Sequence, residues 1–160
     1  IALLYNDQYM YKEAEPLYER ISKIYEKSFG EKSVYFAKSL EGLAGVYRLQ
    51  GKYKEAEPIY KQVLKIKEKA LNPEHGDLAY SYNEVGLLYH AQGKYAEAEA
   101  FLKQSLAIYE KGQGRKSNCV SVVLENLARL YRDTGRETEA LDLEEQAKAI
   151  RSETVDKNDF

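Results

Sequence analysis

The chain has 160 residues, of which 44% are hydrophobic and 31% are charged, as expected for a packed core beneath a charged surface. Its 24 lysines and arginines against 26 aspartates and glutamates give a formal charge of −2, which argues against a general affinity for nucleic acid and gives no polybasic membrane anchor. No run of about 18 apolar residues, as a membrane span requires, occurs in it. We therefore expect no nucleic acid and no membrane among its partners.

The only cysteine is Cys119, which excludes an intrachain disulfide and a cysteine zinc cluster. A reducing, cytoplasmic location is the expected setting. The chain starts with Ile1 in the middle of a pattern, so we expect it to be a fragment whose targeting signals lie elsewhere.

A short sequence recurs along the chain. Residues 51–58 read GKYKEAEP and residues 93–100 read GKYAEAEA, with altered copies at 11–16 and 135–140. The alanines of the four copies follow one another at intervals of 42 residues, as Ala14, Ala56, Ala98 and Ala140. A fixed period of this length predicts a repeat array in which each unit is one supersecondary motif.

The first unit, about residues 1–28, is predicted to be incomplete. Counting back one period from Leu43 leads to Ile1, so most of the first helix of this unit is absent. The cut end exposes apolar helix surface that needs a cover, and a homo-oligomer formed through this N-terminal end is one expected assembly.

The second unit, about residues 34–70, is predicted to be a pair of helices. Helix A, about 34–50, carries Leu40, Leu43, Ala44 and Tyr47, and this spacing marks one face of an amphipathic helix. Gly51 ends it, because glycine tolerates the positive φ of a helix C-terminus. Helix B, about 53–70, follows at once, so the two helices should form an antiparallel hairpin.

The third and fourth units, about residues 77–111 and 119–151, repeat the two helices in register. A small residue recurs where neighbouring helices are expected to approach closely, as Ala2, Ala44, Gly86 and Ala128. An aromatic residue recurs as Tyr5, Tyr47, Tyr89 and Tyr131, and each hydroxyl needs water or a partner.

The fourth unit differs from the others at two positions of helix B. Glu144 and Lys148 replace residues that are apolar in the inner units. They are one turn apart, so they are predicted to form an i,i+4 pair on the polar outer face of a terminal, capping repeat. A frayed tail is expected over residues 152–160.

A second stripe on helix A lies about 100° from the core face and mixes cationic, amide, aromatic and aliphatic side chains. Its predicted site residues are Lys38, Glu41, Arg48, Tyr80, Asn83, Leu87, His90, Val122, Glu125, Arg129 and Arg132, with Leu3 and Asn6 from the first unit. A stripe of this composition is neither a uniformly charged face nor a buried one, so it is the candidate binding surface.

The stripe is interpreted as a peptide groove. Arg48, His90, Arg129 and Arg132 can pair with carboxylates, so the expected partner is a protein or peptide segment with at least one acidic group. Asn83 can bind peptide backbone as donor and acceptor, and Tyr80, Leu87 and Val122 can form an apolar pocket for an anchor side chain. The alternative is a solvated surface with internal ion pairs such as Glu41–Arg48 or Glu125–Arg129.

Catalytic and metal-binding patterns are weak. His75 and His90 are the only histidines, and neither stands in a metal-binding spacing. The Glu-Ala-Glu pairs recur at the repeat period, as expected of acidic groups at helix starts. We therefore predict no enzyme activity, no catalytic residue, no metal and no cofactor.

Taken together, these residues resemble a tetratricopeptide repeat: LEGLAGVY in helix A (40–47), then GKYKEAEP, then an apolar helix B. The period of 42 and the connector LNPEHGDLA (71–79) resemble the kinesin light chain subtype, whose helix A carries Leu-Asn-Asn-Leu-Ala. In the matching stretches, only Asn83 is an asparagine at the first of the two Asn places. The resemblance covers about residues 1–151.

The resemblance implies one all-α solenoid over residues 1–151, a right-handed α-α superhelix of about four helix hairpins with the first truncated. It implies a non-catalytic protein- or peptide-binding scaffold that uses a concave groove lined by helix A of each repeat. The alternatives are a self-associating structural array, or the repeat portion of a larger multidomain protein whose activity lies elsewhere.

Overall fold

The computed structural model describes residues 11–155, which form helices and no strand. The helices are α1 (Tyr11–Phe29), α2 (Val34–Leu49), α3 (Tyr53–Ala70), α4 (Gly76–Ala91), α5 (Tyr95–Gln113), α6 (Asn118–Asp133) and α7 (Glu137–Val155). The predicted all-α hairpin repeat is confirmed: α2, α4 and α6 are A helices, and α1, α3, α5 and α7 are B helices. Ala2, Leu3, Tyr5, Asn6 and residues 156–160 lie outside the described residues.

The predicted helix bounds agree closely with the structure, except at the C-terminus. Helices α2 and α3 match the predicted pair to within one residue. Helix α7 runs to Val155, so the frayed tail is wrong for residues 152–155. Two ion pairs hold the last turns of α7 in place. Arg151 pairs with Glu125 of α6 at 2.6 Å, and Glu153 pairs with Lys116, in the connection before α6, at 2.7 Å.

The helices belong to two compact units, Ile1–Asn72 and Pro73–Phe160. In the first unit, α2 packs against both α1 and α3. One cluster joins α1 to α2 (Ala14, Tyr18, Leu43 and Val46), and another joins α2 to α3 (Phe36, Ala37, Leu40, Val63 and Ile66). The prediction of one continuous solenoid over residues 1–151 stays a prediction.

In the Pro73–Phe160 unit, α4 pairs with α5, α6 pairs with α7, and α5 and α6 join the two hairpins. One core runs through all four helices and includes Ala79, Leu102, Val123, Leu127 and Ala147. The predicted close approach at the small residues is confirmed at Gly86, where an added Cβ would lie 2.8 Å from Leu102 Cγ.

The A helices begin at capping residues that the repeat pattern did not single out. The Ser33 and Ser117 hydroxyls accept hydrogen bonds from the backbone N–H groups of Phe36 and Val120, which satisfies one free donor at each helix start. At the start of α4, His75 Nδ1 accepts from Asp77 N at 3.1 Å. His75 is therefore the N-terminal capping residue of α4.

The A helices end at the glycine that the sequence predicted. Gly51 has φ of 75°, and its equivalents Gly93 and Gly135 have 73° and 76°. In each turn the next residue donates its N–H to the tyrosine carbonyl four residues before the glycine, at 2.8–2.9 Å. Only glycine adopts this conformation without a Cβ penalty, which explains why glycine occupies this position in all three turns.

A repeated cluster, here called the inter-repeat clasp, joins each tyrosine of this turn to a cation. Lys52 lies 5.3 Å above the Tyr47 ring, Lys94 lies 5.1 Å above the Tyr89 ring, and the Arg136 guanidinium lies 3.6 Å from the centre of the Tyr131 ring. These are cation–π distances. The cation is therefore fixed over the end of its own A helix.

The clasp is completed by a glutamate from the preceding B helix. Glu15 of α1 accepts from Lys52 Nζ at 2.7 Å, and Glu99 of α5 accepts from Arg136 at 2.8 Å and from the Tyr131 hydroxyl at 2.8 Å. The second glutamate of the Glu-Ala-Glu pair thus binds one repeat to the next. This contact is the partner that the tyrosine hydroxyl was predicted to need.

The clasp changes the pKa of its carboxylates. The hydrogen bond from Lys52 lowers the pKa of Glu15. Burial on its own would raise the pKa of Glu99, but hydrogen bonds from Lys103 and Tyr131 outweigh it, and the pKa lies below its ordinary value. Both carboxylates therefore stabilise the folded chain in their charged form.

Acid is expected to open the clasp. A glutamate whose pKa is lowered on folding stabilises the native state above its unfolded pKa of about 4.3, and this contribution is lost as the pH falls further. Glu99→Gln should therefore lower the urea midpoint at pH 7, and the gap from the wild type should narrow at pH 3. Glu97→Gln, two residues away and exposed, is the matched control. A gap of equal size at both pH values would contradict the prediction.

The predicted Glu144–Lys148 outer face is wrong for Glu144. Its carboxylate lies 2.7 Å from the guanidinium of Arg132 on α6, the A helix of its own hairpin. Leu102, one repeat earlier, contacts Gly86 of its own hairpin in the same way. The charged residue at 144 replaces an apolar contact by an ion pair within the repeat.

None of the helices within residues 11–155 combines the length and apolar character that a bilayer crossing requires.

Candidate functional site

Two polar pairs join the A helices of the Pro73–Phe160 unit. The Asn126 side chain on α6 donates from Nδ2 to Asn83 Oδ1 on α4 at 2.8 Å, and both amides are buried. Near the C-terminal ends of these helices, His90 Nε2 lies 2.7 Å from Asp133 Oδ2. Each pair joins residues 43 positions apart, so α4 and α6 lie side by side and present one continuous surface, here called the A face.

Apolar side chains are exposed at one end of the A face. Tyr80 on α4 is 47% exposed and Val122 on α6 is 45% exposed. They occupy equivalent places in the repeat, 42 residues apart and each about one turn before one of the two buried asparagines. An exposed apolar pair above a fixed amide pair is suited to hold one apolar side chain of a ligand.

The cations of the A face differ in how far they are already paired. Arg132 binds Glu137 and Glu144, which raise the pKa of its guanidinium through their hydrogen bonds. His90 is mostly buried against Asp133. Arg129 is exposed, and no carboxylate among residues 11–155 pairs with it. Arg129 is therefore the cation that a ligand carboxylate can reach without displacing an internal partner.

The other stripe residues of this unit, Leu87 and Glu125, are less accessible to a ligand. Leu87 is half-buried. Glu125 is partly exposed and accepts from Arg151 of α7 at 2.6 Å, so the alternative pair that the sequence suggested for it, Glu125–Arg129, is wrong. An internal ion pair does form at Glu125, as that alternative required, but with a helix B partner.

The stripe on α2, in the Ile1–Asn72 unit, is mostly covered. Lys38 is exposed and Arg48 is half-buried. Glu41 is buried at 8% exposure and pairs at 2.8 Å with Lys67 of α3, which is 1% exposed. The prediction of Glu41 as a groove residue is therefore wrong, because its carboxylate points into the hairpin.

Asn83 is also placed differently from its prediction. Its side chain is buried and its oxygen accepts from Asn126, so it does not stand free to bind a peptide backbone. Asn83 is buried because α6, the next A helix, covers this position of α4. Glu125, the equivalent residue on α6, remains partly exposed.

A cavity of about 580 Å³ opens beside Tyr80. It lies where the start of α4 meets the end of α5 and the start of α6, and its lining includes Tyr80, Tyr109, Gln113 and Cys119. The Cys119 thiol is free and partly buried. The cavity extends the apolar end of the A face toward the edge of the repeat.

Several residues that shape the site were not among the predicted site residues. Asn126 and Asp133 each lie 43 residues after their partners, one more than the repeat period, so a strict 42-residue comparison passes over them. The sequence does contain an indication for Lys67, because it occupies the position that Tyr109 has in the next unit. A lysine on the apolar side of helix B is expected to need a buried carboxylate as its partner.

Comparison with known proteins supports the repeat. A family model described as tetratricopeptide repeat matches residues 1–69, 35–111 and 77–153. No curated protein matches the chain. Solved structures do: BtubC (BKLC) from P. vanneervenii aligns over 96% of this chain and 61% of its own, with a TM-score of 0.82 and 26% identity. This chain therefore spans about three fifths of BtubC.

A candidate kinesin light chain from Podosopora anserina with nearly identical TPR-like repeats is a second structural neighbour. It aligns over 96% of this chain and 92% of its own, with a TM-score of 0.65 and 24% identity, and a point variant of the same protein aligns with a TM-score of 0.64. At this identity the likeness supports the fold alone. Repeats of this kind are typically non-catalytic and bind other proteins. With its family match over three overlapping windows, this chain belongs to the tetratricopeptide repeat family.

Proposed function

We propose that the chain is a non-catalytic scaffold that binds a peptide segment of another protein on the A face of the Pro73–Phe160 unit. The observation that carries the proposal is the exposure of Tyr80 and Val122 at equivalent places on adjacent helices. Most apolar residues of α4 and α6 are buried in the core. Two adjacent exceptions on one face are the arrangement expected of an anchor site.

The geometry of α6 suggests the spacing of the ligand motif. Val122 and Arg129 are seven residues apart, which is two helical turns or about 10 Å. An extended peptide covers that distance in about three residues. A ligand with an apolar residue near Val122 would thus place a carboxylate near Arg129 when the two side chains are about three residues apart. Aspartate or glutamate there would form a charge-assisted hydrogen bond.

The buried amide pair supports this role by fixing the floor of the A face. Asn83 and Asn126 hold α4 and α6 at one separation, so little conformational entropy need be lost when the ligand binds. The ligand would then be selected by the exposed groups on either side of this floor, Tyr80 and Val122 at one end and Arg129 at the other.

The test is a peptide array in which an apolar residue is followed by aspartate or glutamate at each spacing from one to six. We expect the strongest signal at about three. Arg129→Glu and Val122→Asp should each weaken the best peptide at least tenfold, and a lysine in place of its acidic residue should restore binding to Arg129→Glu.

The matched control is Arg115→Glu, a charge reversal at an exposed arginine away from the A face, which should leave affinity unchanged. Circular dichroism of each variant excludes unfolding as the cause. Unchanged binding to both Arg129→Glu and Val122→Asp would place the ligand elsewhere on the chain and contradict the proposal.

A further inference from the structure

Two glycines make room for the cavity beside Tyr80, here called the Tyr80 cavity. Gly76 begins α4, Gly112 lies in the last turn of α5, and both line the cavity. An added Cβ would lie 3.0 Å from Gln113 Nε2 at Gly76 and 2.8 Å from the Glu74 carbonyl oxygen at Gly112. In the other repeats, side chains stand at the equivalent positions, which are Val34 and Asn118 for Gly76 and Ser28 and Ala70 for Gly112. The cavity is therefore a feature of this place in the array.

The lining of the Tyr80 cavity is acidic. Glu74 and Asp77 are among its lining residues, and no lysine or arginine of residues 11–155 lines it. His75 adds no positive charge, because its Nδ1 accepts a hydrogen bond and therefore carries no proton. Glu74 pairs with Lys111 at 2.6 Å, but both partners are exposed, so the pair is of small net strength. Two carboxylates at one cavity favour a cationic occupant.

An aromatic ring lies beside these carboxylates. Asp77 and Tyr80 are three residues apart on α4, so their side chains lie on the same side of the helix. The Tyr80 side chain is 47% exposed, and Tyr109 of α5 also lines the cavity. The face of a tyrosine ring attracts a cation, and the planar guanidinium of arginine stacks on such a ring. The groups of this cavity therefore suit arginine better than lysine.

The chain contains the same combination of groups around one of its own arginines. In the inter-repeat clasp, the Arg136 guanidinium lies 3.6 Å from the centre of the Tyr131 ring. It pairs with Glu99 at 2.8 Å and with Glu139 at 2.6 Å. The Tyr80 cavity likewise supplies a tyrosine ring and two carboxylates, and an arginine from a ligand would complete the same set.

The carboxylates of the cavity need not be free of other contacts to bind a cation. Glu99 of the clasp accepts from Arg136, from the Tyr131 hydroxyl and from Lys103. An ionised carboxylate can do so because its two oxygens offer about four acceptor sites. The two carboxylates of the cavity can in the same way bind a guanidinium in addition to the contacts that they already make.

We infer that the Tyr80 cavity binds an arginine side chain of the peptide ligand. The guanidinium stacks on the Tyr80 ring and pairs with the carboxylates of Asp77 and Glu74. The cavity volume of about 580 Å³ lies within the range of about 300–1,000 Å³ that is usual for ligand clefts. The cavity therefore admits a long side chain.

The position of this arginine in the ligand rests on the proposed function. Asp77 lies three residues before Tyr80, which is about 4.5 Å along α4, whereas Arg129 lies seven residues after Val122 on α6. An extended peptide covers about 4.5 Å in one to two residues. The arginine is therefore expected one or two residues from the apolar anchor, on the side away from the acidic residue.

Cys119 gives a readout of the cavity that does not depend on the A face. It lines the cavity and is the only cysteine of the chain, so its alkylation by N-ethylmaleimide, followed by mass spectrometry, reports whether the cavity is occupied. Nα-acetyl-arginine amide should slow the reaction in a saturable manner. Nα-acetyl-citrulline amide, its uncharged isostere, should need at least a tenfold higher concentration. The backbone amide signals of Asp77 and Tyr80 in an NMR titration should follow the same two curves.

Protein variants then test the partners of the guanidinium. Asp77→Asn keeps the shape of the side chain and should remove most of the difference between the two probes. Tyr80→Leu should weaken binding of the arginine probe at least threefold. Asp142→Asn, the same change at an exposed aspartate of α7, is the matched control and should leave both curves unchanged. Circular dichroism checks that each variant is folded.

The outcomes separate this inference from the proposed function. Equal concentration dependence for the two probes, or a difference that survives Asp77→Asn, would overturn the inference whatever the peptide array shows. Selective binding of the arginine probe together with a silent array would support the cavity and contradict the A face. Within the best array peptide, arginine at the expected place should bind at least fivefold more tightly than citrulline, and equal affinities would overturn the inference while leaving the A face intact.

Discussion

Glu41→Leu is expected to destabilise the Ile1–Asn72 unit by about 3–5 kcal/mol, the range for removing one partner of a buried ion pair. Lys67 is 1% exposed and its ammonium lies 2.8 Å from the Glu41 carboxylate. Without that carboxylate, the buried ammonium loses the counter-charge that offsets its desolvation. The loss should appear as a lower urea midpoint by circular dichroism at 222 nm, with amide exchange accelerated in α2 and α3.

The double variant Glu41→Leu with Lys67→Met removes both charges and keeps the volume, so its stability should return to within about 1–2 kcal/mol of the wild type or exceed it. Lys65→Met, an exposed lysine two residues away on the same helix, should change stability by less than about 0.5 kcal/mol. If Glu41→Leu alone costs less than the Lys65 control, water reaches Lys67 and the pair is not a buried one.

Gly42→Ala should destabilise the same unit, although glycine to alanine inside a helix ordinarily gains about 1 kcal/mol. A Cβ at Gly42 would overlap the buried ring of Tyr18, lying 2.6 Å from Cδ1. Forcing such an overlap typically costs about 1–3 kcal/mol, so the steric cost is expected to exceed the helix propensity gain. The free energy of unfolding from urea titration measures the balance.

Gly45→Ala is the matched control, because its added Cβ meets only the Tyr60 hydroxyl at an ordinary 3.7 Å. It should stabilise α2 by up to about 1 kcal/mol. Tyr18→Leu should rescue part of the Gly42→Ala loss, because leucine lacks the ring carbons that the added Cβ would overlap. If Gly42→Ala is as stable as Gly45→Ala, α1 moves aside without cost.

The repeat made the backbone of this chain predictable. The bounds of α3, the turn at Gly51 and the buried face of Leu40, Leu43 and Ala44 all depend on contacts inside one helix or one hairpin. Such contacts recur every 42 residues, so the sequence shows each of them several times. Local periodicity and turn chemistry are sufficient for features of this kind.

The placement of the stripe residues could not be obtained in the same way. Asn83 is buried because α6 follows it, and Glu41 because Lys67 reaches it from α3. A helical wheel assigns a residue to a side of its helix but does not show which neighbour covers that side. The exposed members of the stripe are Lys38, Tyr80, Val122, Arg129 and Arg132, and their use by a ligand remains a prediction.

The inter-repeat clasp has a consequence for how repeats of this kind can be gained or lost. Glu15 reaches Lys52 and Glu99 reaches Arg136, so in both cases the carboxylate meets a cation 37 residues further along the chain. Recombination that inserts or removes a whole 42-residue segment returns a matching glutamate to every cation. A crossover that changes the length by any other amount separates them and leaves a charged residue without its partner at the junction. The clasp therefore favours change in array length by complete repeats.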